Sequence, residues 1–236
     1  DHAISTMTEE KKLYPLRFCS IQDEYVWGRD EFILADLGYR DSLVKDGWLA
    51  ANSISEVMDT YLDRVVGDRV YEMYGRQFPV QIKRISCKGR MPLRVHPDDV
   101  IAGERYDALG KEKLWYVLKA SKDAKLFLGL KRQSDAGELM GALQDGSIES
   151  LLYAVSPRAG EFFHIAPGTI HGACGDVELI EVSQSSALDF CIFAWGQALG
   201  ADEFDESLGV IDALDFIDYS PYRNQDEISQ FSVRKM

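Results

Sequence analysis

Two of the four histidines in this 236-residue chain stand where imidazole chemistry is common. His96 lies in Arg94-Val95-His96-Pro97-Asp98-Asp99, where an extended run ends in a turn. His171 closes Pro167-Gly168-Thr169-Ile170-His171, where a Pro-Gly turn leads toward another strand. Strand-end histidines of a small barrel serve as zinc or iron ligands. They serve as often as hydrogen-bonding framework residues, so neither one alone defines a function. Strand parity puts Arg94 and His96 on one face. Glu181 shares parity with Val177 and Leu179 and so faces inward, whereas Glu112 projects to the opposite side from Lys111 and Lys113. His164 lies across the turn from His171, and its direction is open. Cys19, Cys87, Cys174 and Cys191 show no C-x-x-C spacing, which argues against a zinc ribbon or disulfide framework and for buried reduced thiols.

The elements that must position these residues are mostly strands. Val80 to Ser86, Pro92 to His96, Lys113 to Ala120, Lys125 to Leu130, Glu161 to Ile165, Asp176 to Gln184 and Phe190 to Trp195 are strand-length runs bounded by turn residues or charges. Tyr14 to Phe18 and Phe32 to Leu37 add strand-like pieces. Ser53-Ile54-Ser55-Glu56 is a capping box, and the apolar spacing from Ile54 to Val66 predicts a helix of three turns behind it. Glu138 to Leu143 reads as a short amphipathic helix and Ile148 to Val155 as a second. Many short strands without a βαβ rhythm point to a sandwich or barrel.

Composition narrows the partners. A net charge of −13 argues against nucleic acid and against an anionic membrane. There is no apolar run of membrane-spanning length and no signal-peptide pattern, so a cytoplasmic protein is expected. Residues 1–200 read as one domain that includes the helical segment 53–75, and residues 201–236 as an acidic, partly helical tail.

In this order and at these intervals, a set of segments resembles the type I phosphomannose isomerases, a cupin family. The segments are Tyr14-Pro15-Leu16, Phe78-Pro79-Val80-Gln81-Ile82-Lys83, His96-Pro97-Asp98-Asp99, Gly110-Lys111 with Trp115-Tyr116-Val117-Leu118, Gly168-Thr169-Ile170-His171, Glu181 with Gln184-Ser185-Ser186, Trp195-Gly196 and Ala213-Leu214-Asp215-Phe216-Ile217-Asp218. The resemblance implies a mainly β cupin jelly-roll with helices around its N-terminal part. It also implies one zinc at the barrel mouth, and mannose 6-phosphate interconverted with fructose 6-phosphate. The family's metal ligands come from Gln-x-His-Pro, Lys-x-Glu and Gly-Thr-x-His segments. His96 and His171 keep two of these positions, while Arg94 replaces the glutamine and Lys113 the glutamate. Lys83 and Lys111 match phosphate-handling lysines. Pro92 replaces a serine near that site, Cys191 takes the place of the catalytic arginine, and Gln197 that of a second arginine. The family's Gly-Glu-Ser-Trp-Glu motif is absent, and the expectation is that its second cupin domain is lacking or was removed.

Two cations about 5 Å from a divalent ion would each repel it by about 7 kcal/mol at an effective dielectric near 20. The expectation is therefore a degenerate homologue that needs no cofactor and binds a sugar phosphate or similar small anion through Lys83, Arg94, Lys113 and Glu181. Glu181 has a plainer role as an ion-pair partner of Arg94 or Lys113. Lys111 is the catalytic position by resemblance, and a homodimer is compatible with the fold. The alternative is an active mannose-6-phosphate isomerase holding zinc through His96, His171 and rearranged ligands.

Overall fold

The computed structural model describes residues 11–197 and 209–223. Among them, eleven strands form two sheets in which every pairing is antiparallel. The larger contains β1 (Ile21–Tyr25), β2 (Gly28–Leu34), β3 (Val80–Cys87), β5 (Lys113–Ala120), β8 (Phe162–Ile165) and β10 (Val177–Gln184), in the order β1-β2-β3-β10-β5-β8. The smaller contains β4 (Leu93–Val95), β6 (Lys125–Leu130), β7 (Leu152–Val155), β9 (His171–Cys174) and β11 (Phe190–Phe193), in the order β11-β4-β9-β6-β7. This is the mainly β architecture expected from the sequence.

The inner rows of the large sheet change character along their length. On β10 the row runs Val177, Leu179, Glu181, Ser183. On β5 it runs Val117, Trp115, Lys113, and on β3 Cys87, Ile85, Lys83, Gln81. The aliphatic ends pack with Leu126, Leu128 and Ala173 of the small sheet into a dry core between the sheets. The charged ends lie together at the other end, because antiparallel pairing places Glu181 beside Lys83 on one side and Trp115 on the other. Alternation in β4 sends Leu93 and Val95 the other way. There they join Phe127, Phe190 and Leu139 of α5 (Ala136–Asp145) in a second core behind the small sheet.

Several sequence expectations shift. The capping box is present: Ser53 accepts from the Glu56 amide, and Glu56 accepts from the Ser53 amide at 2.8 Å. The helix behind it is interrupted. α1 (Ile54–Tyr61) ends at Leu62, which adopts φ 48°, and α2 (Asp63–Val66) and α3 (Asp68–Tyr74) follow separately. Ile54, Val57 and Met58 are buried, while α2 and α3 bury no residue, so no continuous core holds the later turns on one axis. Ser53→Ala is expected to cost about 1 kcal/mol in urea unfolding, with the m-value unchanged. Tyr14 to Phe18 makes only an isolated bridge, Phe18 to Val44. Ile148 to Val155 is a 3₁₀ turn, Ile148–Ser150, followed by β7, because residues 152–155 pair with β6. α4 (Asp99–Tyr106), β1 and β9 had no counterpart in the sequence reading. The cysteines are free thiols, but only Cys87 is buried and Cys19 is exposed. Of the tail, residues 209–223 carry one turn of helix, α6 (Val210–Ala213); positions 201–208 and 224–236 lie outside the described residues. No described helix is long and apolar enough to cross a membrane.

Candidate functional site

The charged ends of the strands enclose a cavity of about 80 Å³ whose walls include Lys83, Arg94, His96, Lys111, Lys113, His171 and Glu181. Lys83, Arg94, His96, Lys111, Lys113, His171 and Glu181 therefore line one space. β4 and β9 pair at Arg94 and His171, which brings the two histidine segments together. The imidazole centroids of His96 and His171 are 5.3 Å apart.

Two glycines set this approach. Gly110 packs so closely on the Pro97-Asp98 backbone that a Cβ would lie 2.4 Å from the Asp98 carbonyl carbon. The Lys111 amide donates to the Pro97 carbonyl at 3.1 Å, which fixes Lys111 beside the His96 turn. Gly168, at φ +83°, donates to the His96 carbonyl at 2.8 Å and accepts from the Asp218 amide at 2.9 Å, and a Cβ there would meet the Phe216 carbonyl at 2.7 Å. The Ala213 to Asp218 segment thus clamps the turn that carries His171.

Glu181 is the hub. One carboxylate oxygen accepts from Trp115 Nε1 at 2.8 Å and from Lys113 Nζ at 3.2 Å, and the other lies 3.8 Å from Lys83 Nζ. Burial alone would raise its pKa, but Lys113, Lys83 and Lys111 together hold it well below the usual carboxylate range. Lys83 pairs with Asp30 at 2.8 Å. Burial opposes its charge, and Asp30 and Glu181 outweigh burial and raise its pKa. Lys113 falls to about 8, because burial outweighs the help of Glu181. Lys111 is pushed well below the usual lysine range by burial and then by Lys113, and its ammonium donates to the Ser186 carbonyl at 2.9 Å. Arg94 pairs with Asp189.

Both histidines are held neutral, since burial and then Lys113 lower their pKa values well below the usual range. His171 Nδ1 lies 2.9 Å from the Thr169 carbonyl, so Nδ1 carries the proton and Nε2 keeps a bare lone pair. His96 Nε2 is 3.4 Å from Asp189 Oδ1. His171 Nε2, His96 Nδ1, Gln81 Oε1, Glu181 Oε1 and Asp30 Oδ1 are buried without a hydrogen-bond partner among the described groups.

These residues do not fit a zinc ion. Among the described residues, no three His, Cys, Asp or Glu side chains are placed to hold a metal. The bare imidazole nitrogens share the cavity with Lys113 and Arg94, and Glu181 is committed to Lys113 and Trp115. Glu112 and His164, the remaining candidates, pair with each other on the outer face of the large sheet. Trp195 is a framework residue whose indole donates to the Met91 carbonyl at 3.0 Å, whereas Trp115 is core and pocket wall at once. Two wall residues, Asp30 and Asp189, escaped the sequence reading.

A two-sheet antiparallel barrel with strand-end histidines converging on a polar mouth is the cupin fold. Its sequence is similar to those of mannose-6-phosphate isomerases. It is 27% identical over 192 residues to the mannose-6-phosphate isomerase of Streptococcus mutans and 25% identical over 198 residues to ManA of Bacillus subtilis. Each match covers 76% of this chain and 60% of the relative, so the chain spans under two thirds of either protein's length. The crystal structure of the mannose 6-phosphate isomerase from Bacillus subtilis superposes with a TM-score of 0.74 at 22% identity, over 86% of this chain and 68% of that one. The apo form from Salmonella typhimurium gives 0.61 at 10%, over 89% and 76%. The sequence matches no family model.

Proposed function

We propose that the barrel mouth binds a small polyhydroxylated anion of the sugar phosphate class, and does so without efficient zinc-dependent catalysis. The make-up of the cavity wall carries this conclusion. Lys83, Lys113 and Arg94 are offset by Asp30, Glu181 and Asp189, whereas Lys111 donates to a backbone carbonyl. Five acceptors face the same region without donors. A phosphate suits Lys111 and the planar fork of Arg94. Sugar hydroxyls suit Gln81, Glu181 and the bare nitrogen of His171. An apolar ligand would strand these acceptors at about 1–3 kcal/mol each. A cavity of about 80 Å³ encloses one end of such a ligand, with the remainder at the rim by Tyr39 and Arg40.

Aldose–ketose isomerisation needs a polarised carbonyl and a base that moves a proton between adjacent carbons. Lys111 offers an amine of lowered basicity, but the groups that could polarise a carbonyl, Lys113 and Arg94, are tied into carboxylate pairs. The relatives' names make mannose 6-phosphate the first ligand to test. Calorimetric titration with mannose 6-phosphate is expected to give saturable binding, and a coupled isomerase assay is expected to give no zinc-dependent turnover. Robust turnover restored by zinc and removed by a chelator would overturn this function.

A further inference from the structure

We propose that Asp189 is a built-in counter-anion that occupies the anion seat on Arg94 and sets which ligands displace it. This deepens the function proposed above and rests on it. Asp189 immediately precedes β11. One of its oxygens pairs with the Arg94 guanidinium and the other lies 3.4 Å from His96 Nε2. It is the most exposed carboxylate side chain of the cavity wall, at 30%, against 21% for Asp23, 9% for Asp30 and 1% for Glu181. Arg94 itself is 12% exposed.

The four carboxylates differ in how firmly they are held. Glu181 is fixed by Trp115 and Lys113, Asp30 by Lys83, and Asp23 by Arg40. Asp189 is the most exposed of the four, so swinging away carries its charge toward water. Its pairing places a carboxylate oxygen on the Arg94 guanidinium where a phosphate oxygen would sit, so Arg94 carries its own counter-charge. A ligand must exchange with that carboxylate. A phosphate dianion, with more charge and a third oxygen for Lys111, displaces it, and a monocarboxylate of similar size does not. Asp189 is thus a specificity-determining residue, acting by competition with ligand and not by contact with it.

The test is calorimetric titration of the full chain with mannose 6-phosphate and with acetate, with folding checked by thermal melting. Asp189→Asn is expected to bind mannose 6-phosphate at least tenfold more tightly than the wild type and to gain measurable acetate binding. Adding Arg94→Met is expected to remove both gains. Wild-type binding that is unchanged or weakened in Asp189→Asn overturns the competition while leaving the anion pocket standing. Failure of both proteins to bind mannose 6-phosphate overturns the pocket itself, and the competition with it. Should Asp189→Asn fail to fold, a crystal structure of the wild type saturated with mannose 6-phosphate decides: an opened Arg94–Asp189 pair supports the exchange, and an intact pair overturns it.

Discussion

Glu181→Leu is expected to lose about 3–5 kcal/mol of stability at neutral pH, the range for removing one partner of a buried charge pair. The residue is 1% exposed, and three groups depend on it: Lys113, Trp115 Nε1 and, more distantly, Lys83. Lys83 retains Asp30, so the damage concentrates on Lys113 and the indole. Lys113 already titrates near 8 with Glu181 present; without it, the lysine sheds its proton instead of staying charged in a dry site. Adding Lys113→Met should therefore recover much of the loss. The pH dependence follows from signs. Glu181 is more acidic folded than unfolded, so its contribution is complete above the unfolded carboxyl value near 4.3 and fades as pH falls below it. Wild type and Glu181→Leu should converge in acid. Lys113 acts in the opposite range: between about 8 and about 10.4 only the unfolded chain holds the proton, so stability rises with pH there. Urea unfolding across pH reads all of this, and a neutral-pH loss under about 1 kcal/mol would show that Glu181 is not the hub.

The second large effect concerns metal. Combining Arg94→Gln with Lys113→Glu is expected to raise zinc affinity sharply over that of the wild type. The double change removes two cations and adds a neutral and an anionic oxygen donor beside two neutral imidazoles whose bare nitrogens already lack partners. Each repulsion removed is worth about 7 kcal/mol at about 5 Å, and two imidazoles with two oxygen donors make an acceptable zinc set. Affinity should rise at least about a thousandfold, about 4 kcal/mol. Competition against a chromophoric chelator measures it, with metal content after dialysis as a check. Equal zinc uptake by the unaltered chain would mean that Lys113 and Arg94 yield to the ion, and the electrostatic argument would fail.

Much of this site was legible in the sequence because strand alternation is a strict rule. Parity alone placed Glu181 inward and Glu112 outward, and the structure gives each that position, with Lys113 as the partner of Glu181. β5 and β6 have the predicted bounds, since both carry uninterrupted runs closed by charges or turns. α4 was missed because it buries only Ala102 and so shows no apolar stripe. β9 was missed because Gly172 and Ala173 look like turn residues, although Gly172 needs its small size against Leu93. The three-turn helix failed at Leu62, where apolar spacing continues but the core it would face does not. Asp30 and Asp189 were invisible for a different reason. In a chain with 39 acidic residues, an aspartate gives no signal by type, and only tertiary pairing with Lys83 and Arg94 sets these two apart. A local hint existed at Asp189, a lone acid between Leu188 and the apolar strand from Phe190.

A Cβ on Gly110 or Gly168 would run into neighbouring backbone, and the Phe216 to Asp218 stretch leans on the second of them. Arg94 and Lys113, by contrast, line the cavity and pair with other side chains, the carboxylates of Asp189 and Glu181. The joinery of this barrel and its chemistry are therefore separable: exchanging the tips rewires what the mouth attracts, while altering either mortised glycine would move the histidines themselves. Such a frame is free to trade one reactivity for another and keep its shape.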